Sequence, residues 1–357
     1  MENIGYRPRN NSDQASLALS DDPIARALEL SHQKAAHSFK TQTNDPTIPS
    51  SYTLRSKGKS LQFVGVNHVD NLKRMAQEDT TFIEEANRRC RLTFDNIMGA
   101  ISQAPLATSS IIIEGMPRLD PDQEKPDRFF DALLKKYPEM DWENPNIEQF
   151  LSFENASEMD FAALIAHRRG MRIISSESQR KQIAALCKGK SESYVSHAFM
   201  FFACRDLVRY RGHGDGNDQA KNGERGVMNE IERLNKCPEF QSLTMDSIHE
   251  IARPIWGSGA LGNQAMADEM AHLITPYPMQ YIKALDALSA QKKDQLKLFN
   301  QIAQDLSKIR DRAIIDLAIH EFKSHSTVIP IFGSGHGQSC HLAFQYLMGS
   351  KGQAPLF

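Results

Sequence analysis

Tryptophan occurs twice and cysteine five times in 357 residues. The cysteines, Cys90, Cys187, Cys204, Cys237 and Cys340, are odd in number and never adopt a CxxC spacing. This excludes a disulfide framework and a thiolate zinc cluster built from neighbouring ligands, and fits reduced thiols. Neither sign of charge is in surplus: 42 Lys and Arg against 44 Asp and Glu leave a formal charge of −2. Broad electrostatic binding to nucleic acid or to an anionic membrane is therefore not expected. Long apolar runs are missing too. The stretch from Ala198 to Cys204 falls far short of the roughly 20 residues a membrane-spanning helix needs. The first residues, MENIGYRPRNNSDQ, lack the apolar core of a secretory signal. The expected location is a cytosol, or an outside compartment reached by an export signal that composition does not reveal.

Apolar residues make up 40% and charged residues 24% of the chain, enough to fold most of it. The length exceeds the roughly 250–300 residues at which single cores stop growing, so one large domain with added segments is expected. Residues 1–58 have no Val, Cys or Trp and a single Phe, and are rich in Ser, Asn, Asp, Gln and Thr. Such a segment buries too little apolar surface to offset its ordering entropy, and is expected to be disordered apart from one short helix. That helix is placed at Pro23 to about Ser38, because Asp22–Pro23 reads as a cap followed by proline at the first helical position.

From residue 59 the pattern changes. Four short runs read as buried strands: Leu61–Val66, Ser110–Ile113, Met171–Ser175 and Thr327–Phe332. Pro330 cannot donate to a ladder, so the fourth is expected at a sheet edge or at a bulge. Ile83, Ala86, Cys90, Phe94, Ile97 and Ile101 step by three or four, as one face of a helix does. So do Phe299, Ile302, Leu306, Ile309, Ala313 and Leu317. Strands alternating with such helices give an α/β fold, with a mixed, partly parallel central sheet flanked by helices. Residues 178–295 are mainly helical and are expected to form a large insertion or cap, in which Phe199, Phe201 and Phe202 are core.

The polar residues of interest follow the strands. The first strand runs into Gly65-Val66-Asn67-His68, the second into Glu114-Gly115, the third into Ser176-Glu177 and the fourth into Gly333-Ser334-Gly335-His336. In open α/β sheets ligands bind at the carboxyl ends of the strands. Two His and two Glu delivered there make a set of N and O ligands able to hold a divalent metal with a position left for water. Each piece also has a plain reading. Gly and His are ordinary turn residues, and a Glu after a strand often sits at a helix N-terminus. The coincidence of two GxxH and two Glu behind four strands favours function.

GVNH, IIIEG, the segment Asp160–Glu177 and IPIFGSGH occur in the order seen in the TraB/Tiki/ChaN/erythromycin-esterase superfamily, which this chain resembles over 60–177 and 297–348. Ile309-Arg310-Asp311-Arg312 resembles the Arg-Asn run those proteins carry before their second GxxH. The resemblance implies a hydrolase of ester or amide bonds with His68, Glu114 and His336 at its centre. By the Tiki branch these three bind a divalent metal, Mn²⁺ or Co²⁺, that activates water. By the erythromycin-esterase branch a His activates water without one. By the ChaN branch the scaffold binds haem instead. Glu177 is the implied second carboxylate, as base or ligand. Glu158 is a further candidate, with the reading that Ser157 caps a helix and Glu158 only favours its dipole set slightly ahead. Arg310 matches the family's Arg, flanks a buried face and needs a carboxylate or an anionic substrate; Arg312 is the alternative. His341 is left out, being five residues from His336 on another helix face. Cys340 is read as core and His213 as part of a solvated turn. The expected partners are a small-molecule or peptide substrate, and a protein bound through the N-terminal segment or the insertion. The competing function is a non-catalytic binding or effector protein on the same scaffold, possible for an exported protein with such a polar leader.

Overall fold

Alternation along the strands decides the layers. In the computed structural model, which describes residues 22–41, 51–69, 72, 80–115, 126–153, 156–175, 178–204, 216–258, 266 and 290–349, five strands form one sheet. They are β1 (Tyr52–Ser56), β2 (Lys59–Val66), β3 (Ser109–Ile113), β4 (Arg172–Ser175) and β5 (Thr327–Gly333), in the order β1-β2-β5-β3-β4. β1 is antiparallel to β2, and the other pairings are parallel. One face carries Val64, Val66, Ile111, Ile113, Ile329 and Ile331. It is covered by α2 (Ile83–Gln103), α3 (Pro126–Lys136), α4 (Ile147–Ser152) and α5 (Glu158–Arg168). The other face carries Leu61, Phe63, Ile112, Ile174, Val328 and Phe332, and packs on α1 (Pro23–Thr41), α10 (Ala290–Glu321) and α11 (Ser334–Leu347). The result is a three-layer α/β fold with a mixed, partly parallel sheet, as the period-two and period-3.6 patterns require.

Between β4 and α10 lie α6 (Gln179–Cys187), α7 (Glu192–Ala203), α8 (Gly216–Leu234) and α9 (Met245–Trp256). They bury a separate core that includes Phe199, Phe201, Phe202, Phe240 and, from the first half of α10, Phe299, Ile302 and Leu306. The helical region therefore does not close at residue 295. α10 is a single helix of 32 residues that belongs to the helical core first and to the sheet afterwards. Its buried face moves accordingly. Phe299, Ile302 and Leu306 are buried as the spacing predicts, but beyond them the buried residues of the helix are Asp311, Ile314, Ile315, Ala318 and Glu321, with Phe322 just past its end, while Ile309, Ala313 and Leu317 are only partly covered.

The structure departs from the sequence reading in three further places. Residues 22–41 and 51–58 are not a bare leader. Asp22 caps α1, accepting from the amides of Ile24 (2.9 Å) and Ala25 (3.3 Å), and Ile24, Ala27 and Leu28 enter the core. β1 adds a strand the apolar pattern hides, because Thr53 and Arg55 of its five residues face solvent. Its two-residue turn into β2, Lys57-Gly58, has φ of +44° and +78°, the geometry that follows the twist of a hairpin. Finally, Pro330 is neither at an edge nor in a bulge: β5 is central. The ladder to β3 runs through Pro330, paired with Ile112. The ladder to β2 skips Ile329 and Pro330 and resumes in the same register at Ile331. The missing donor thus interrupts one flank only. Among the described residues no helix is long and apolar enough to cross a membrane.

Candidate functional site

Because β5 lies between β2 and β3, the turns after these three parallel strands meet at one edge. Each delivers one part of the cluster: His68 after β2, Glu114 after β3, and Gly333 with His336 after β5. Glu114 is at the middle. Its Oε1 accepts from Arg310 Nη2 of α10 at 2.5 Å, and its Oε2 accepts from the Gly333 amide at 2.6 Å. His68 Nε2 lies 3.9 Å from Oε2 and His336 Nε2 lies 3.8 Å from Oε1. The two imidazoles therefore face the same carboxylate with the same nitrogen.

Each ring is held from behind. His68 Nδ1 lies 2.7 Å from Glu158 Oε1, whose other oxygen accepts from the Val69 amide at 3.2 Å. His336 Nδ1 is hydrogen-bonded to Asp311 Oδ1 on α10. A carboxylate only accepts, so Nδ1 carries a proton in both rings and Nε2 faces the centre, as a lone pair in the neutral ring and as a donor in the imidazolium. Asp311 is wholly buried, and its Oδ2 accepts from Ser339 Oγ at 2.6 Å. The cluster is thus two His–carboxylate pairs flanking a Glu–Arg pair.

The charges follow from these contacts. The hydrogen bond to Glu158 raises the pKa of His68 above its ordinary value; burial pulls it down and is outweighed with help from Glu114. Burial opposes ionisation of Glu114, but Arg310, His336 and His68 together hold it down at about 2. Burial likewise opposes ionisation of Asp311, yet His336 and His32 keep its carboxyl well below the usual range. Three carboxylates, one arginine and two imidazoles thus form a preorganised set in which negative charge exceeds the arginine's.

Gly333 is required by close approach, not by its backbone, whose φ of −49° any residue adopts. A Cβ there would stand 3.0 Å from His68 Nε2 and 3.5 Å from Glu114 Oε2. Gly333→Ala is expected to lower activity about 10-fold or more by displacing the His68 ring, since small misplacements of reacting groups are costly. Its melting temperature should stay close to that of the parent. A melting curve beside an activity assay separates the two effects.

The structure brings together His68, Glu114, Glu158, Arg310 and His336 of the sequence candidates. Glu158 is the first residue of α5, as its helix-start reading holds, but its side chain is spent on His68 and Val69. Ser157 stands at the cap position without a side-chain cap bond. Arg312 turns away: it pairs with Asp22 at 2.5 Å and with Asp316 at 2.9 Å. Glu177 and His213 lie outside the described residues. His341 is buried and packs at a tilt against Tyr52 with ring centroids 4.6 Å apart, and Cys340 is core. Sequence reasoning missed Asp311, Ser339 and His32. Asp311 had a signal, a charged residue on the buried stripe that continues through Ile315, Ala318 and Phe322; the others had none.

Part of the donor set suits a divalent metal. Both Nε2 atoms are available, and carboxylates behind metal-binding histidines are a common arrangement. Glu114 already accepts from a guanidinium and an amide, so a cation at His68, Glu114 and His336 would share its oxygens with Arg310 and the Gly333 amide. Among the described residues no group of three His, Cys, Asp or Glu side chains is spaced to hold a metal ion. Comparison with family models, with curated proteins and with solved structures returns no match.

Proposed function

We propose that this protein is a hydrolase of neutral carboxylic esters or amides, with water activated by a histidine. The observation that carries the reading is the pair of carboxylate-backed imidazoles whose Nε2 atoms face one central carboxylate. The gaps of 3.9 and 3.8 Å to Glu114 are too long for direct hydrogen bonds and are of a length that a bridging water spans. His68, the more open of the two with 39% of its side chain exposed, is the base. Water gives its proton to His68 Nε2 as its oxygen attacks the carbonyl carbon. Glu114 orients the water and Arg310 keeps Glu114 anionic. His336, as imidazolium opposite Asp311, donates Nε2–H to the departing oxygen or nitrogen, so the products are an acid and an alcohol or amine. The carboxylate between the histidines disfavours an anionic reacting centre such as a phosphodiester, because like charges at this range repel.

The test is turnover of a panel of chromogenic esters and short peptides by the parent, His68→Ala and His336→Ala. The parent should hydrolyse members of the ester set, and each variant should lose about 10²–10⁴-fold. A parent inactive on the whole panel, or variants that keep full turnover, would leave a non-catalytic binding protein as the better reading. Elemental analysis of the same three preparations decides the branch: stoichiometric Mn²⁺ or Co²⁺ lost in both variants would restore the metal-dependent mechanism. A haem titration that develops a Soret band would point to the ChaN-like alternative.

Glu158→Gln is expected to lower the His68 pKa, since the carboxylate is what raises it. The acidic limb of the kcat/KM profile should move to lower pH while the plateau falls. An unmoved limb would take the base role away from His68.

A further inference from the structure

Asp311 orients His336, and Asp311 is itself held by a helix outside the sheet-and-crossover framework. His32 on α1 places Nε2 2.8 Å from Asp311 Oδ2, the oxygen that also accepts from Ser339. At that separation two lone pairs would repel, so His32 Nε2 carries a proton, although its N–H axis is off the line of a good hydrogen bond. The adjacent residue locks the same junction: Ser31 Oγ accepts from the Leu342 amide of α11 at 3.0 Å, and Ser31 is buried. Two ion pairs fix the register of α1 on α10, Asp22 with Arg312 and Glu29 with Lys308 at 2.7 Å. They stand on the two sides of Asp311 along α10. The helix thus crosses the back of the site with one polar side chain in contact with its deepest carboxylate.

We infer that His32 is a positioning residue for the Asp311–His336 pair: α1 supplies the second donor that keeps Asp311 Oδ1 turned to His336. Asp311 has no exposure to solvent, so water cannot replace a lost donor there. With Ser339 alone on Oδ2 the carboxylate is free to tilt, and the imidazole it holds tilts with it. Only the kinetic consequence rests on the hydrolase reading; the geometric one does not.

The test uses the full chain and reads the His336 Nδ1–H proton by NMR, a far-downfield signal when the donor is a ring N–H on a carboxylate. Its assignment comes from its loss in His336→Gln. His32→Leu keeps the packing volume and removes the donor, and should shift or broaden that signal. His32→Gln, which restores an N–H near the position of Nε2, should bring it back. Glu29→Gln loosens α1 away from Asp311 and should leave it in place. On an ester that the parent turns over, His32→Leu should lower kcat about 10-fold with KM unchanged. An unmoved signal in His32→Leu, no recovery in His32→Gln, or the same change in Glu29→Gln would overturn the assignment. If the NMR pattern holds while the parent hydrolyses nothing, the functional reading fails and the positioning role stands.

Discussion

Asp311→Asn is expected to reduce turnover about 10³–10⁴-fold while the protein still folds. Asp311 is the only one of the site carboxylates with no solvent exposure; it accepts from His336 Nδ1 and Ser339 Oγ, and His32 Nε2 lies 2.8 Å from its second oxygen. Asparagine offers one accepting oxygen where the carboxylate offers two, so either His336 or the Ser339–His32 side meets an amide N–H. It also removes the charge that compensates an imidazolium at His336. A neutral residue behind a catalytic histidine leaves the ring in the wrong tautomer and costs turnover on this scale in other hydrolases. The check is kcat against the midpoint of thermal unfolding. A large loss of kcat with a modest shift of midpoint is the expected pattern, and proportionate losses of both would mean that Asp311 is only part of the core.

Glu114→Gln should cost about 3 kcal/mol of stability at pH 7. Burial raises the cost of the Glu114 charge, but Arg310 and the two histidines bring its pKa from 4.5 down to about 2. A depressed carboxylate contributes its stability fully above the unfolded value, and loses it as the pH falls towards the folded value. The difference between parent and variant should therefore be constant from neutral pH to about 4.5, and shrink steadily from there to about 2. Urea unfolding of both proteins at pH 7, 5 and 3 reads this directly. A glutamine amide would also press an N–H against Arg310 or against the Gly333 amide, so the loss at neutral pH includes an unsatisfied buried donor. A difference that grows on acidification would contradict the assignment of Glu114 as the ionised centre.

Both predictions concern residues of unequal legibility. Glu114 could be found in the sequence because three isoleucines precede it, and a buried strand announces its own end. His68 and His336 were legible for the same reason, and Gly333 marks where the last strand turns. Arg310 was legible as a cation on a helix flank that required a carboxylate; which carboxylate was not. Asp311 was quoted in the Arg-Asp-Arg run but given no role, because the spacing of Ile309, Ala313 and Leu317 pointed to a different face. α10 changes its packing partner from helices to sheet near that point, and a single period cannot describe a helix with two neighbours. His32 carried no local signal at all. It sits in a polar segment whose few apolar residues, Ile24, Ala27 and Leu28, suffice only because α10 and α11 provide a surface for them.

The shortages of the sequence argue against a disulfide framework, and all five cysteines are free and buried. Its periodicities determined the α/β class, the four strands β2 to β5 and the polar residues that follow them, because backbone geometry fixes which side chains share a face. Tertiary structure alone decided that β5 enters between β2 and β3, and so that His68, Glu114 and His336 converge. It decided as well that Glu158 and Asp311 stand behind the two rings. Pairing across 90 residues in one case and 25 in the other depends on strand order and helix docking, which no local pattern encodes.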